Sequence, residues 1–299
     1  MLNKIRGLFP ALEIRENEPL KNHSSFRIGG PADVMLLPKT EEELAGVYKL
    51  LLAGEVRHFV MGNGSNLLFA DEGFRGVVIK TSGVNGVGMA GENTLRAQCG
   101  ALLSQTAVFA RKNALAGLEF AHGIPGSVGG AVVMNAGAYG GEIKDAAVKT
   151  LYLDAEGELR EARGEEHEFG YRRSRFKPGE IVLSCDFLLQ PGDENEIQDK
   201  MSELAAKRKA SQPLELPSAG STFKRPVGGF AAALIDQAGL KGLTVGGAQV
   251  STKHAGFVVN TGGASCSDVL ALMEKVKEAV FAASGIELEP EVRVVRERG

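Results

Sequence analysis

The stretch EFAHGIPGSVGGAVVMNAGAYGG, residues 119–141, limits what this chain can fold into more than any other. Seven of the residues from His122 to Gly141 are glycine. A flexible linker of that glycine content carries polar residues between the glycines. Here Ile124, Val128, Val132, Val133 and Met134 stand there instead. Apolar residues among bare backbone predict a folded loop that comes close to something. Glycine allows that approach, together with the positive φ angles that tight turns demand. Successive N–H groups in such turns form a nest for an anion, typically a phosphate.

Two further clusters share the character. VMGNGSNLLFADEG, residues 60–73, sets Gly62 and Gly64 directly after a predicted strand. A dinucleotide fingerprint of the Rossmann kind requires a third glycine or alanine at position 67 and a helix behind it. Position 67 is Leu67, the residues behind it do not read as a helix, and the Walker GK[ST] is absent. The turn is therefore of another kind, with Ser65 and Asn66 able to add side-chain donors. Alone it reads equally well as a tight strand-to-strand turn. HSSFRIGGPAD, residues 23–33, puts Arg27 beside Gly29 and Gly30. A guanidinium next to bare backbone suits an anion or an electron-rich ring system. Three such loops over half the chain predict one extended ligand, such as a dinucleotide with a pyrophosphate bridge. The pattern does not separate FAD from other dinucleotides.

The chain has 299 residues, which predicts two or three domains. A net charge of −3 gives no basic face for nucleic acid, and no apolar run is long enough for membrane insertion. The first twenty residues lack the continuous apolar core of a secretory signal. Cys99, Cys185 and Cys266 lie far apart and read as packing residues in a reducing cytoplasm. GEEHEF around His167 lacks HExxH spacing, so no metal is expected. His122 and His254 read as structural.

TEEELAGVYKLLLAG is a helix capped by Thr40, with Glu43 placed to close a capping box and Gly54 to stop it. Leu44, Val47, Tyr48 and Leu51 share its apolar face. ADVMLLP and VRHFVMG flank it as strands. From GVVIKT to about Gln190 strands dominate, interrupted by a helix in ALLSQTAVFARKNALAG. LYLDAEGELREA reads as two strands around a turn, and IVLSCDFLLQ as a strand. ENEIQDKMSELAAKRKASQP is a helix with Ile197, Met201, Leu204 and Ala205 on one face. GFAAALIDQAG, the strand HAGFVVN and a long helix capped by Ser265 follow. The texture changes near 195–200, where a domain boundary is expected.

Five segments occur in order: GNGSNLL, GIPGSVGGAVVMNAGAYGGE, YRRSRFK, AGSTFKRP and LEPEVRVV. Together, over about residues 20–295, they resemble the bacterial UDP-N-acetylenolpyruvoylglucosamine reductase family. The resemblance implies an α+β chain: a vanillyl-alcohol-oxidase (PCMH) type FAD-binding fold in two subdomains plus an α/β substrate-binding domain. The FAD-binding region would span 1–197, with subdomains of about 1–80 and 81–197 and a C-terminal strand 287–299 returning to it. The substrate-binding domain would span 198–286. The cofactor would be non-covalent FAD, with NADPH as reductant. The enolpyruvyl ether of UDP-N-acetylglucosamine would take a hydride at its terminal alkene carbon and a proton at the carbon bearing the ether and the carboxylate. UDP-N-acetylmuramate, for peptidoglycan, would be the product.

The resemblance also implies roles. Arg172 matches the family's carboxylate-binding arginine, Ser221 its proton donor and Glu291 its glutamate near the C-terminus. Hydride addition puts negative charge on the substrate carboxylate, which a guanidinium fork stabilises. A serine hydroxyl suffices as acid because the carbanion-like intermediate is a far stronger base than water. The FAD contacts would come from Arg27, from Gly62, Asn63, Gly64, Ser65, Asn66 and Leu67, and from Gly123, Ile124, Pro125, Gly126, Ser127, Gly129, Gly130, Asn135 and Gly137. Gly126, Gly129 and Gly130 would be bare because a side chain would occupy the ligand's volume. CDFLLQPGDENEIQ runs from strand straight into helix, without room for the tyrosine-bearing insertion of the family's longer branch, so the chain resembles the shorter one. Arg208, Lys209, Lys224 and Arg225 are then candidates by charge for the substrate diphosphate, and Tyr139 for the sugar or carboxylate. Taken singly, Arg172 reads as part of a solvated charge run, Ser221 as a turn serine and Glu291 as half of a surface pair. An alcohol oxidase of the same flavin fold and a non-catalytic nucleotide sensor are the rival readings.

Overall fold

The computed structural model describes residues 1–296. The chain forms two compact units, neither a continuous stretch. The first comprises Met1–Arg15, Val34–Asn63 and Gly76–Lys207, and the second Glu16–Asp33, Gly64–Arg75 and the chain from Arg208 onward.

The first unit begins with α1 (Leu2–Leu8), which buries Ile5. α2 (Glu41–Ala53) buries Leu44, Val47, Tyr48 and Leu51, the face expected from periodicity. Thr40 caps it, its hydroxyl accepting from Glu43 N–H at 3.1 Å. The capping box does not close. Glu43 turns its carboxylate to the Lys39 N–H, at 2.8 Å, so it serves the residue before the cap. Gly54 ends the helix, but the left-handed residue beyond it is Glu55, at φ 49°. A four-stranded sheet orders Glu13–Pro19, Pro31–Leu37, Phe74–Lys80 and His58–Met61, the last pair parallel.

The expected helix in 101–117 is α3 (Leu103–Lys112). A second, antiparallel sheet orders Leu159–Arg163, Ala147–Leu153, Ile181–Leu188, Thr94–Gln98 and Val87–Met89. Its first two strands form the hairpin read from LYLDAEGELREA. Its middle strand, Ile181–Leu188, is buried along all but the last residue. That burial explains its near-continuous apolar run. The one acid in it, Asp186, receives a fork from Arg96 at 2.6 and 2.8 Å. Burial pushes its carboxyl up, yet Arg96 and Lys149 outweigh burial and hold it below the usual range.

α4 (Val128–Met134) packs on that strand and occupies the middle of the glycine stretch. No helix is expected there from sequence, since Gly129 and Gly130 oppose one. Burial of Val128, Gly129, Ala131 and Val132 overrides propensity. α5 (Glu194–Ser211) buries Ile197, Met201 and Leu204. Ala205, expected on the same face, is exposed, because the apolar stripe is only three residues wide.

The second unit holds a four-stranded antiparallel sheet, ordered Ser218–Ser221, Phe257–Asn260, Ala248–Val250 and Thr244–Val245. α6 (Ala231–Gln237) and α7 (Cys266–Ser284) build its core. Ser265 and Asp268 form a full capping box on α7, and Val269, Leu272, Met273, Val276 and Val280 are buried, as periodicity requires. Leu67–Phe69 and Arg293–Val295 pair in parallel, with Arg293 opposite Leu67. Within the expected strand 287–299, residues 297–299 lie outside the described residues.

Candidate active site

Two glycine loops of the first unit meet. A Cβ on Gly62 would lie 2.0 Å from Ser127 Oγ, so bare backbone there is what lets Ser127 in. Asn63 Nδ2 donates to the Pro125 carbonyl at 2.5 Å. The loop 123–127 is anchored from behind: Leu103 N–H donates to Gly126 O at 3.0 Å and Ile124 N–H to Ala121 O at 3.0 Å. Gly129 is bare for a different reason from the one expected. Its Cβ would meet Cys99 Cβ at 3.0 Å and Cys99 O at 3.2 Å, and its N–H donates to Cys99 O at 2.8 Å. The protein's own Cys99, in the turn just past the strand Thr94–Gln98, fills that space. Gly130, by contrast, is exposed, and its nearest neighbour would be Ser127 Oγ at 3.8 Å.

Asn135 is the second correction. Expected against the cofactor, it is fully buried as the left-handed C-cap of α4, at φ 42°. Its Nδ2 donates to Glu142 Oε2 at 2.8 Å and to Gly170 O at 3.1 Å, while its Oδ1 accepts from Lys144 N–H at 3.0 Å. Every polar atom of the side chain has a partner inside the protein. Gly137, Ala138, Gly141 and Glu142 form a hairpin around Tyr139 and Gly140. Both turn residues have positive φ, 53° and 90°, which marks the primed turn that a two-residue hairpin favours. Tyr139 stands half-exposed at its tip. Arg172 Nη2 donates to Gly137 O at 3.3 Å, and its guanidinium lies 5.1 Å from the Tyr171 ring centroid. The structure thus brings Asn135, Gly137, Tyr139 and Arg172 together. Arg172, at φ 54°, shares left-handed backbone with Arg27, Asn135 and Tyr139. Bulky residues rarely adopt it, and it clusters at functional sites.

The second unit assembles another group. Arg27 is exposed on a turn whose Ser25 N–H donates to Gly64 O at 3.3 Å. The chain leaving Ser221 runs beside the chain around Glu291. Glu291 N–H donates to Thr222 O at 2.8 Å, and Lys224 N–H to Glu289 O at 2.8 Å. Asn66 Nδ2 donates to Glu291 O at 3.0 Å, and Asn66 O accepts from Arg293 N–H at 3.0 Å. Ser221, Glu291, Asn66 and Leu67 therefore share one neighbourhood, although Asn66 and Glu291 stand 225 residues apart in sequence. Ser221 is exposed, next to Gly220 at φ 77°. Of the cations considered for a diphosphate, Lys224 pairs with Glu289, Arg225 lies 4.4 Å over the Phe230 ring, and Arg208 is half-buried. The Lys209 carbonyl holds Lys253 Nζ at 2.7 Å.

The chain offers a cradle for a pyrophosphate-bearing cofactor. The N–H groups of Asn63, Gly64, Ser65 and Asn66 donate to no backbone carbonyl of the described residues. His122 Nδ1, in the other glycine loop, is buried without a hydrogen-bond partner. Cys99, Cys185 and Cys266 are free and buried. Burial pushes the first two up to about 12 and the third to about 11, so none offers a thiolate for covalent attachment. No group of three or more His, Cys, Asp and Glu able to hold a metal occurs among the described residues. No described helix is long and apolar enough to cross a membrane. Sequence reasoning missed Glu142 and the internal role of Asn135. An asparagine closing an apolar turn ahead of Ala-Gly is a C-cap signal, and it pointed there.

Comparison with known proteins gives two family-model matches: "FAD binding domain" over residues 32–163 and "UDP-N-acetylenolpyruvoylglucosamine reductase, C-terminal domain" over residues 212–295. A UDP-N-acetylenolpyruvoylglucosamine reductase of Clostridioides difficile is 49% identical over 286 residues, 95% of this chain and 94% of the relative. That of Levilactobacillus brevis is 46% identical, over 99% of this chain and 98% of the relative. The crystal structure of the Thermus caldophilus enzyme aligns with TM-score 0.82 at 38% identity, covering 95% of this chain and 99% of that one. A glucooligosaccharide oxidase of Acremonium strictum aligns at TM-score 0.50 and 13% identity, a likeness of fold alone.

Proposed function

The chain belongs to the UDP-N-acetylenolpyruvoylglucosamine reductase family, and from that premise we propose that Arg172, Ser221 and Glu291 carry its chemistry. It is an FAD-dependent oxidoreductase of α+β fold, with an FAD-binding region of the vanillyl-alcohol-oxidase type. It reduces the enolpyruvyl ether of UDP-N-acetylglucosamine to UDP-N-acetylmuramate in peptidoglycan synthesis, with NADPH as reductant. Bound FAD supplies the hydride relay between NADPH and the alkene.

The protein's own residues have three tasks. Arg172 binds the substrate carboxylate and holds the charge that grows on it as hydride arrives. A guanidinium stays charged at any working pH, so its stabilisation is constant. Ser221 gives its hydroxyl proton to the carbon bearing the ether. Its exposure lets water return the proton. Glu291, held through its backbone by Thr222 and Asn66, polarises the same carboxylate when it is protonated or shares a proton. The observation that carries this reading is the hydrogen-bonded run of Ser221–Lys224 beside Glu289–Val292, since it sets two of the three groups in one place.

Around them, Arg27, the loop 62–67, and Gly123, Gly126, Ser127 and Gly130 of the second loop hold FAD. Tyr139 meets the sugar or carboxylate. Arg208, Lys224 and Arg225 meet the diphosphate. Residues 1–197, with the C-terminal strand, serve the cofactor and 198–286 the substrate. Only Gly192 and Asp193 separate Gln190–Pro191 from α5, which supports the shorter branch. We place the reaction in the cytoplasm, where three free cysteines stay reduced.

The test is optical and anaerobic. NADPH bleaches the yellow enzyme, and the enolpyruvyl substrate then restores the colour without oxygen. Ser221→Ala should bleach normally and recolour about 10²–10⁴-fold more slowly. Recolouring at the wild-type rate would remove Ser221 from the mechanism.

A further inference from the structure

Asn135 and Glu142 sit where the proposed carboxylate-binding arginine is held, and neither has a role in the chemistry above. The segment 170–174 is gripped at three points by the end of α4 and the hairpin behind it. Asn135 Nδ2 donates to Gly170 O at 3.1 Å, Arg172 Nη2 to Gly137 O at 3.3 Å, and Ser174 Oγ to Val133 O at 2.8 Å. Arg172 lies between the outer two grips with φ 54°, a conformation that this clamp must impose. Asn135 also holds Glu142 Oε2 at 2.8 Å, and Lys144 Nζ lies 2.7 Å from the same carboxylate oxygen. Lys144 and Asn135, with the nearby charge of Arg172, keep the Glu142 carboxyl below its usual range against the opposing pull of burial. Glu142 is thus an anion at working pH, fixed by Asn135, in the field of Arg172.

We propose that Asn135 and Glu142 are a positioning pair for Arg172, fixing its guanidinium for a substrate carboxylate. Asn135 orients the backbone of 170–172 and the Glu142 carboxylate together. Glu142 attracts one side of the guanidinium while Gly137 O takes one of its donors. The remaining donors of a five-donor fork are then left in a set direction for the ligand. A misplacement of about 1 Å at such a group costs up to about 10²-fold in rate. The inference rests on the role of Arg172 given above.

The experiment uses the FAD-loaded enzyme and three variants: Glu142→Gln, Arg172→Ala and the double variant. Glu142 is half-buried, so the near-isosteric Gln preserves packing. Bleaching by NADPH should stay within about 2-fold of wild type in Glu142→Gln, while recolouring by the enolpyruvyl substrate falls about 10- to 100-fold. The Kd of the lactyl product, by calorimetry, should rise in parallel. In the Arg172→Ala background the Gln substitution should change neither, since the group it positions is gone. Additive losses, or equal damage to both half-reactions, would overturn the pairing and mark Glu142 as merely structural. If Arg172→Ala recolours like wild type, the role of Arg172 itself falls. If Arg172→Ala is crippled and Glu142→Gln is not, only the pairing falls. Should Glu142→Gln not fold, Lys144→Met, which removes the competing cation from the surface, should tighten product binding, and unchanged or weaker binding would count against the pair.

Discussion

Single residues in this protein are placed by what their polar atoms must find. His167 is fully buried; its Nδ1 pairs with Gly164 O at 2.9 Å and its Nε2 with Thr150 Oγ1 at 2.9 Å. Burial holds its imidazolium pKa below the ordinary value, and burial does the same at His254. Both are therefore neutral in the fold. A depressed folded-state pKa means that the unfolded chain takes up protons first as pH falls. Stability from these histidines is present above about pH 6.5 and drains as pH drops below it. The urea midpoint should be lower at pH 5.5 than at pH 7.5, and His167→Phe should flatten part of that slope. An unchanged slope would mean that His167 takes up its proton alike in the folded and unfolded chain. Thr150→Val, which orphans the buried Nε2, should cost about 1–3 kcal/mol by the same urea assay.

At the scale of elements, α4 separates two glycines that the sequence groups together. Gly129 faces Cys99, and an added Cβ must push the Cys99 Cβ and carbonyl in the turn after Thr94–Gln98. Gly129→Ala should cost about 1–3 kcal/mol of stability as overpacking, with Gly129→Val worse and prone not to fold at all. Gly130 faces open space on the same helix, so Gly130→Ala should leave the flavin-free protein equal or up to about 1 kcal/mol more stable. If Gly130 lies against FAD as proposed, the same change should weaken FAD uptake by fluorescence titration. Equal uptake would take Gly130 out of the cofactor contacts. On α7, Ser265→Ala removes the side-chain acceptor of the Asp268 N–H, leaves the backbone N–H of residue 265 on the Asp268 carboxylate, and should cost about 1 kcal/mol, seen as a lower thermal midpoint. The α4 contrast shows how much of the site was legible. Glycine content announced a loop built around close approach, but not whether a ligand or the chain's own backbone does the approaching. Asn135 read from sequence as a cofactor contact, while its partners, Glu142 and Gly170, are known only once the hairpin and the 170–174 segment fold against it.

For the whole molecule, the cofactor is a stability term as well as a reagent. A ligand bound to the folded state alone adds about 2.7 kcal/mol at a hundred times its Kd. Stripping FAD should lower the melting temperature, and adding it back should restore the temperature in proportion to the logarithm of its concentration. A melting temperature indifferent to FAD would mean that the glycine loops hold something else. With every cysteine free and buried, acid denaturation should release all of the flavin from the chain, leaving the protein colourless.

The sequence by itself determined the elements with strong local signals. α2 and α7 carry period-3.6 stripes and caps, and the hairpin at 147–163 carries alternation around a turn, all set by contacts a few residues apart. It also determined the family, because five short segments in order specify one chemistry. Only the tertiary structure decided why Gly129 is bare and that a helix forms through two glycines. The same holds for Ser221 beside Glu291 and for the clamp around Arg172. Each depends on partners tens to hundreds of residues away, whose arrival no local pattern encodes, and burial at those meetings outweighs the propensities that a sequence displays.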